Sequence, residues 1–413
     1  MAKTTQPLKG FRDLLPAQMT IRNKVIKILT QVFESYGFEP LQTPTLEYAS
    51  ILTDKYGEEA DKLMYLFEDQ GKRKVGLNYD LTVPTARVLA QYQDLPKPFR
   101  RYQIQGAYRA ENTQAGRYRQ LTQCDVDIFG SLSPISDAEI LAIVHTSLKA
   151  LKFKEFQIKI NSRQVLFKLI KQAGIPYDKK FTIIQSIDKL DKKTSDEIKQ
   201  ELNKKGFSKD QIKSIFSSLS KAQPDQYLQQ VIHLAQKMGV NKENLIFEPS
   251  LARGLDYYTG PIFETVVTKP NIGSITGGGR YDNLIEQLGG PNIPAVGTTL
   301  GLDRICDVIE DLNLWPNLPK TTTRILTTIF SPILKSESLK ITNILRQKNI
   351  NTEIYPDENT PLPKQLKYAN KKKIPYVLII GETEAKNNQA TLKNMNSGEQ
   401  KTDTLENIIS SIK

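Results

Sequence analysis

The stretch from Phe99 to Gly130 constrains the fold of this chain more than any other. Arg101-Tyr102-Gln103-Ile104-Gln105 and Val126-Asp127-Ile128-Phe129 read as strands, and the polar run Glu111-Asn112-Thr113-Gln114-Ala115-Gly116 between them reads as a turn. Arg109 ends the first strand, and Arg117 and Arg119 open the second. Strands joined this closely pair antiparallel, because a parallel pair needs a crossover of a dozen or more residues. Arg117 and Arg119, two apart, point to one face. A guanidinium is suited to bidentate contact with phosphate, although any one sheet arginine can equally pair with a nearby carboxylate such as Glu111.

Around this hairpin the pattern is mixed. Ile21, Val25, Ile28, Leu29, Val32 and Phe33 recur at helical spacing over residues 20–36, and Gly37 supplies a stop. The run from Phe38 to Pro44 reads as an edge strand or extended arm. Residues 135–151 read as a helix. Between about Ile175 and Val240 lysine becomes dense and the period turns helical, which suggests a small separate insertion. Its lysines are expected to be mostly a solvated helix face. Phe247 to Ile305 returns to β-type sequence with glycine-rich turns, followed by a helix near 302–312. Beyond the linker Trp315-Pro316-Asn317-Leu318-Pro319, strands at 324–330, 352–355 and 376–380 alternate with helices at 334–348 and 362–372. That pattern predicts a small α/β unit with a partly parallel sheet.

Several functions are disfavoured at once. No G-x-x-x-x-G-K-[ST] loop and no G-x-G-x-x-G follows a strand, so the two commonest phosphate cradles are missing. Cys124 and Cys306 are far apart and fit neither a disulfide framework nor a cysteine zinc site. His145 and His233, the only two histidines, sit in apolar helical patterns and read as packed residues. No metal site from the protein alone is expected. The net charge of +12 favours polyanionic partners, though solubility explains such a charge equally well. No apolar run approaches the roughly 20 residues of a membrane span, and the N-terminus lacks an apolar signal core. A cytoplasmic protein without membrane contact is expected.

Specific motifs narrow this further. Tyr108-Arg109-Ala110-Glu111, a loop, and Gly116-Arg117-Tyr118-Arg119-Gln120 resemble motif 2 of the class II aminoacyl-tRNA synthetases. Gly297-Thr298-Thr299-Leu300-Gly301-Leu302-Asp303-Arg304 is similar to their motif 3, and the helix ending at Tyr36-Gly37-Phe38, with Pro44 beyond, resembles motif 1. Arg253-Gly254-Leu255-Asp256-Tyr257-Tyr258-Thr259-Gly260, Gly277-Gly278-Gly279-Arg280-Tyr281-Asp282 and Lys9-Gly10-Phe11-Arg12-Asp13-Leu14-Leu15-Pro16 resemble the histidyl branch of that class. The resemblance covers nearly the whole chain.

It implies an α/β fold with an α+β catalytic core: a class II antiparallel sheet flanked by helices, a helical insertion and a C-terminal α/β anticodon-binding-type domain. The corresponding boundaries are 1–175 and 241–318 for the core, 176–240 for the insertion and 322–413 for the C-terminal domain. The implied activity joins histidine to its tRNA, tRNA(His), through an adenylate made from ATP, with Mg2+ accompanying the nucleotide. Arg109 and Arg253 would act catalytically on the α-phosphate and the histidine carboxylate. Asp80, Leu81, Thr82 and Gln123 would bind the amino-acid end, Asp127 and Tyr258 the imidazole, and Tyr257 and Tyr281 would wall the pocket. Glu111, Arg117, Arg119 and Arg304 would join Arg109 in binding ATP. Motif 1 implies a homodimer. Aspartate stands at 80, 127 and 303 where the commonest bacterial pattern has glutamate, and Asp80-Leu81-Thr82 with Cys124-Asp125-Val126-Asp127 resembles the eukaryote-type branch. In the motif 2 loop Asn112-Thr113 replaces the usual Arg-Pro. Two rival readings are a non-catalytic relative, the regulatory subunit of ATP phosphoribosyltransferase, and a prolyl or threonyl synthetase. The intact Arg253–Gly260 segment counts against both, and the C-terminal unit against the first.

Overall fold

The hairpin anticipated between Phe99 and Gly130 lies within the main sheet. In this computed structural model, which describes residues 5–53, 55, 62–113 and 116–412, Phe99 stands opposite Phe129 and Tyr108 opposite Gln120. Gln114 and Ala115, in the expected turn, lie outside the described residues. Internal contacts divide the chain into two units, Met1–Asp13 with Lys24–Trp315, and Leu14–Asn23 with Pro316–Lys413.

The strands of the first unit are β1 (Glu39–Pro40), β2 (Leu46–Tyr48), β3 (Leu66–Glu68), β4 (Lys74–Leu77), β5 (Phe99–Tyr108), β6 (Gln120–Phe129), β7 (Phe156–Ser162), β8 (Leu245–Phe247), β9 (Pro261–Val267), β10 (Ser274–Arg280) and β11 (Ala295–Gly301). Eight form one sheet in the order β1-β5-β6-β11-β10-β9-β7-β8, and β2, β4 and β3 form a separate sheet. All neighbours from β5 to β7 are antiparallel, and only the edge strands β1 and β8 pair parallel. Pro40 is tolerated because an edge strand has ladder N–H groups to spare.

The first helix runs Pro16–Ser35, four residues longer at its start than its apolar period indicates, and Gly37 follows at φ +76°. Ser133 caps the helix Pro134–Ala150 by accepting from Ile135 N–H, and Ile140, Leu141, Ile143 and Val144 are fully buried along it. His145 packs there against Phe156, ring centroids 5.7 Å apart. His233 departs from the packed reading. The helix Gln226–Lys237 buries Leu228, Val231 and Ala235, which leaves His233 on the exposed face.

The lysine-dense region is helical, with helices Lys180–Ile187, Ser195–Lys204 and Lys209–Leu219. Capping boxes at Thr194 and Ser208 start the last two. The sequence suggests a separate insertion, but Ile183, Ile187, Ile198, Leu202 and Ile215 share one apolar cluster with Leu166, Tyr257, Tyr258 and Tyr281. The helix Gln226–Lys237 instead packs on Pro134–Ala150. The core of the insertion is thus continuous with that of the surrounding unit, which its lysine content conceals.

In the second unit β12 (Ile325–Thr327), β13 (Thr352–Ile354), β14 (Tyr376–Ile379), β15 (Gln389–Asn394) and β16 (Gln400–Thr404) form a sheet in the order β13-β12-β14-β15-β16. The first three are parallel, as the alternating pattern implies. The antiparallel hairpin β15–β16 carries too few apolar residues to be recognised by period. No helix among the described residues is long and apolar enough to cross a membrane.

Candidate active site

The site grows out of strand register. Gln123, Asp125 and Asp127 alternate along β6, so all three face one side of the sheet and line one cavity. Asp127 stands across from Arg101 on β5 and Gly297 on β11, while Asp125 stands across from Gln103 and Thr299. These are two polar rows laid across the strands. Arg101 is fully buried, with Nη2 2.8 Å from Asp127 and 3.8 Å from Asp125. Tyr281 donates to Asp127 Oδ1. Gln123 Nε2 donates to Thr299 Oγ1 at 3.1 Å. One guanidinium therefore faces two carboxylates in a dry environment. Burial, opposed by Arg101 and reinforced by Asp127, pushes the Asp125 carboxyl up to about 7, and Asp127 is also raised.

Glycines shape the same cavity. The triplet Gly277-Gly278-Gly279 is not a turn, as glycine content suggests, but lies within β10. A Cβ at Gly277 would fall 2.1 Å from Arg253 Nη1, and one at Gly297 would fall 1.7 Å from Asp127 Oδ1. Both positions let a charged side chain lie directly on the backbone.

Arg253 comes from the loop before β9. Its backbone sits at φ +54°, in the left-handed region that a residue with a side chain seldom adopts. Arg163, fully buried, helps hold it there by donating Nη2 to the carbonyls of Arg253, at 2.6 Å, and Leu255, at 2.7 Å. Burial brings the Arg163 guanidinium down to about 10, against the opposing Asp256 and Asp188. The Arg253 side chain pairs with Glu264 at 3.2 Å and lies 5.8 Å from the centre of the Tyr258 ring. Burial would lower its pKa, but the facing Tyr258, Glu264 and Asp188 hold it above the ordinary value.

Further cations gather at the motif 2 hairpin. Arg109 donates Nε to Tyr79 O at 3.0 Å and stacks on the Tyr79 ring. Arg304 donates to Gly116 O at 3.0 Å and Ser274 O at 2.5 Å. Burial first, then the neighbouring Arg117 and Arg109, hold the Arg304 guanidinium below its ordinary value, despite Glu264 and Glu111. Like charges kept this close favour an anion among them. The segment around Lys9-Gly10 braces the hairpin, since Gly10 O accepts from Arg119 N–H at 2.9 Å and Lys9 O from Arg119 Nη1 at 3.3 Å. Arg12 joins in, 2.6 Å from Asp303 and stacked 3.6 Å from the Tyr118 ring centre.

Of the residues singled out by sequence, Asp80, Thr82, Arg109, Gln123 and Asp127 line the cavity together with Arg253, Tyr257, Tyr258 and Tyr281. Asp80 also accepts from Val83 N–H at 3.1 Å, so the plain capping role holds beside the lining one. Leu81 is fully buried and absent from the lining, and its carbonyl accepts from Arg101 and Thr85. Glu111, Arg117, Arg119 and Arg304 are also absent from the lining. Glu111 pairs with Arg117, the outcome the plainer reading of sheet arginines anticipates. Arg119 spends its guanidinium on the backbone carbonyls of Glu111 and Lys9. Sequence reasoning missed Arg101, Asp125, Thr299 and Arg163. The alternation of Asp125 with Asp127 was the available signal, while Arg101 and Arg163 gave none without register.

Comparison with known proteins shows the family. Residues 10–305 match the family model described as histidyl-tRNA synthetase, and residues 327–413 match one described as an anticodon binding domain. The chain is 37% identical to a protein of Cytophaga hutchinsonii named histidine–tRNA ligase, over 99% of both chains. It is 36% identical to one of the same name from Aeropyrum pernix, covering 96% of this chain and 94% of that protein. A crystal structure of histidyl-tRNA synthetase from Nostoc sp. PCC 7120 superposes with a TM-score of 0.85 at 29% identity, over 99% of each chain.

Proposed function

Because the chain belongs to the histidyl-tRNA synthetase family, we propose that the cavity beside β6 and β10 holds histidine and that the arginines next to it hold ATP. The activity is that of a histidine–tRNA ligase. The observation that carries the site assignment is one cavity lined both by the carboxylates Asp80 and Asp127 and by Arg109 and Arg253.

In the first step a histidine carboxylate oxygen attacks the α-phosphorus of ATP. The bond to the bridging oxygen breaks, leaving histidyl-adenylate and pyrophosphate. Two anions must approach, so catalysis consists mainly of placing positive charge where negative charge builds. Arg253 and Arg109 serve the carboxylate and the α-phosphate. Arg304, with Arg117, serves the outer phosphates. No general base is needed, because the carboxylate is already ionised. Asp80 and Gln123 take the ammonium end, and Asp127 and Tyr258 take the imidazole. A ribose hydroxyl at the tRNA 3′ end then attacks the adenylate carbonyl and AMP leaves. Mg2+ enters with ATP. Among the described residues no three His, Cys, Asp or Glu side chains form a group that could hold a metal, so phosphate oxygens and water would supply most of its ligands. Glu264 and Glu111, which face Arg304, are the nearby carboxylates for the rest.

Pyrophosphate exchange across the twenty amino acids should respond to histidine alone, since a site that reads substrate N–H groups rejects analogues lacking them by roughly 10⁴-fold or more. Exchange with proline or threonine and none with histidine would reject the assignment.

The second unit is proposed to bind the anticodon end of tRNA(His), with Lys364, Lys367 and Lys371 as its phosphate contacts. Lys372 is already engaged by Glu353 and Tyr368. Glutamate at those three lysines should impair aminoacylation several-fold and leave pyrophosphate exchange unchanged. Normal charging at physiological salt would rule these contacts out.

We also propose a cytoplasmic homodimer. Leu46, Tyr48 and Phe67 are exposed on one face of the three-stranded sheet, an apolar face that a second copy could cover. Sedimentation at micromolar concentration should return twice the mass of the chain, and a monomer mass would exclude it.

A further inference from the structure

The floor of the cavity carries an imbalance that the binding of a neutral imidazole does not use. We propose that Asp125 is a specificity-determining residue of the histidine site, supplying the second carboxylate against which the imidazole is bound in its protonated, cationic form. The proposal rests on the reading of this cavity as the histidine site.

The charges facing Asp125 can be taken element by element. β5 contributes Arg101 at 3.8 Å. β6 contributes Asp127 and the amide of Gln123, whose Nε2 is 3.4 Å from Asp125 Oδ1. β11 contributes the Thr299 hydroxyl, the loop before the helix Thr82–Gln91 contributes Asp80, and the turn after β10 contributes Tyr281. Arg109 and Arg253 line the same cavity, but Arg253 is paired with Glu264 and Arg109 is tied to Tyr79 O. At the floor itself, one guanidinium therefore stands against two carboxylates. When both are ionised, an excess negative charge remains in a water-poor site, and it is balanced either by a proton on Asp125 or by an incoming cation.

The hydrogen-bonding capacity left open points the same way. Asp127 Oδ1 accepts from Tyr281, while Oδ2 is ion-paired with Arg101 at 2.8 Å but carries no hydrogen bond. Gln123 Oε1 is buried without a hydrogen-bond partner. Its orientation is fixed, because turning the amide would set its oxygen against the Thr299 and Asp125 oxygens that its nitrogen now serves. The floor is thus rich in acceptors. A neutral imidazole offers one N–H donor, and an imidazolium offers two. The cation satisfies both the charge and the acceptors.

Proton linkage tests this directly. Histidine binding to the full-length protein is measured by calorimetry in buffers of different ionisation enthalpy between pH 6 and pH 8. Free imidazole titrates near 6.5 and the empty Asp125 carboxyl near 7. Binding should therefore release a fraction of a proton at about pH 6 and take up close to one at about pH 8. In Asp125→Asn the uptake at the higher pH should fall to near zero, with the α-amino contribution cancelling in the difference. Should the variant fail to fold, ring-15N-labelled histidine bound to the native protein at pH 8 locates the proton: two protonated ring nitrogens are expected, and one protonated and one bare nitrogen would overturn the proposal. Histidine binding with no proton taken up at pH 8, or equal uptake in the variant, would overturn the proposal. If histidine did not bind at all while another amino acid did, the parent reading would fall instead.

Discussion

Replacing Arg253 with alanine should slow adenylate formation by about 10²–10³-fold, a barrier increase of roughly 3–4 kcal/mol, while the melting temperature stays close to that of the native protein. The surroundings of Arg253 separate this outcome from a structural one. Among the described residues Arg253 forms one ion pair, with Glu264, and the two side chains are 18% and 26% exposed. A half-buried pair of this kind stands at the upper end of the about 0–1 kcal/mol that exposed pairs contribute to stability. The left-handed backbone at φ +54° is no harder for alanine than for arginine, and the carbonyl contacts from Arg163 do not depend on the Arg253 side chain. Little stability is therefore at risk, whereas the cation aimed at two converging anions is lost outright. Gly277→Ala is the companion experiment. Its methyl would arrive 2.1 Å from Arg253 Nη1, so the flexible guanidinium must move aside. A loss of rate approaching that of Arg253→Ala, without loss of fold, is expected. Adenylate formation within about threefold of native for Arg253→Ala, less than 1 kcal/mol of barrier, would remove it from the catalytic residues.

Asp127→Asn should have the second largest effect and a different signature. Histidine use, read as kcat/KM, should fall by about 10²-fold, near 3 kcal/mol, because a charge-assisted acceptor becomes a neutral amide. The KM for ATP should change little. This variant should also melt earlier. Arg101 is fully buried and loses its 2.8 Å partner, and breaking a buried pair costs about 3–5 kcal/mol. Asp125, 3.8 Å away, can take over part of the interaction, which places the expected cost at the lower end. Kinetics must therefore be compared at equal folded concentration. Histidine parameters within about twofold of native would exclude Asp127 as an imidazole ligand.

What could be read from the sequence follows from periodicity and from motifs. The hairpin β5–β6 was legible because alternation and a polar turn are local signals, and the parallel strands β12, β13 and β14 because each is a short apolar run. Arg101 was not, since an arginine within a strand pattern implies a solvated face. It is buried because register sets it opposite Asp127, and register depends on the partner strand. Arg163 opens a helix, a position that also suggests solvent, yet its donors are needed inside by the carbonyls of Arg253 and Leu255. Gly277 to Gly279 suggested a turn because glycine is a turn former. Within a strand the same residue marks a close crossing, and only the structure shows what crosses. The lysines of 176–240 advertised solvent on one face of each helix and concealed the isoleucines on the other.

The glycines of β10 and β11 have a consequence for anyone redesigning this enzyme. Where Gly277, Gly278 and Gly297 line the cavity its wall is peptide backbone, held by ladder bonds on both sides. Such a wall has no side chain left to trim, so room for a bulkier ring cannot be opened at these positions. It must come from Tyr257, Tyr258 or Leu255, or from moving a strand and with it the register that holds Asp125 and Asp127 in place. If the cavity holds the histidine ring as proposed, its size limit is built into main chain, and an expanded-substrate variant selected from a library should carry its changes in the 255–258 loop rather than along β10.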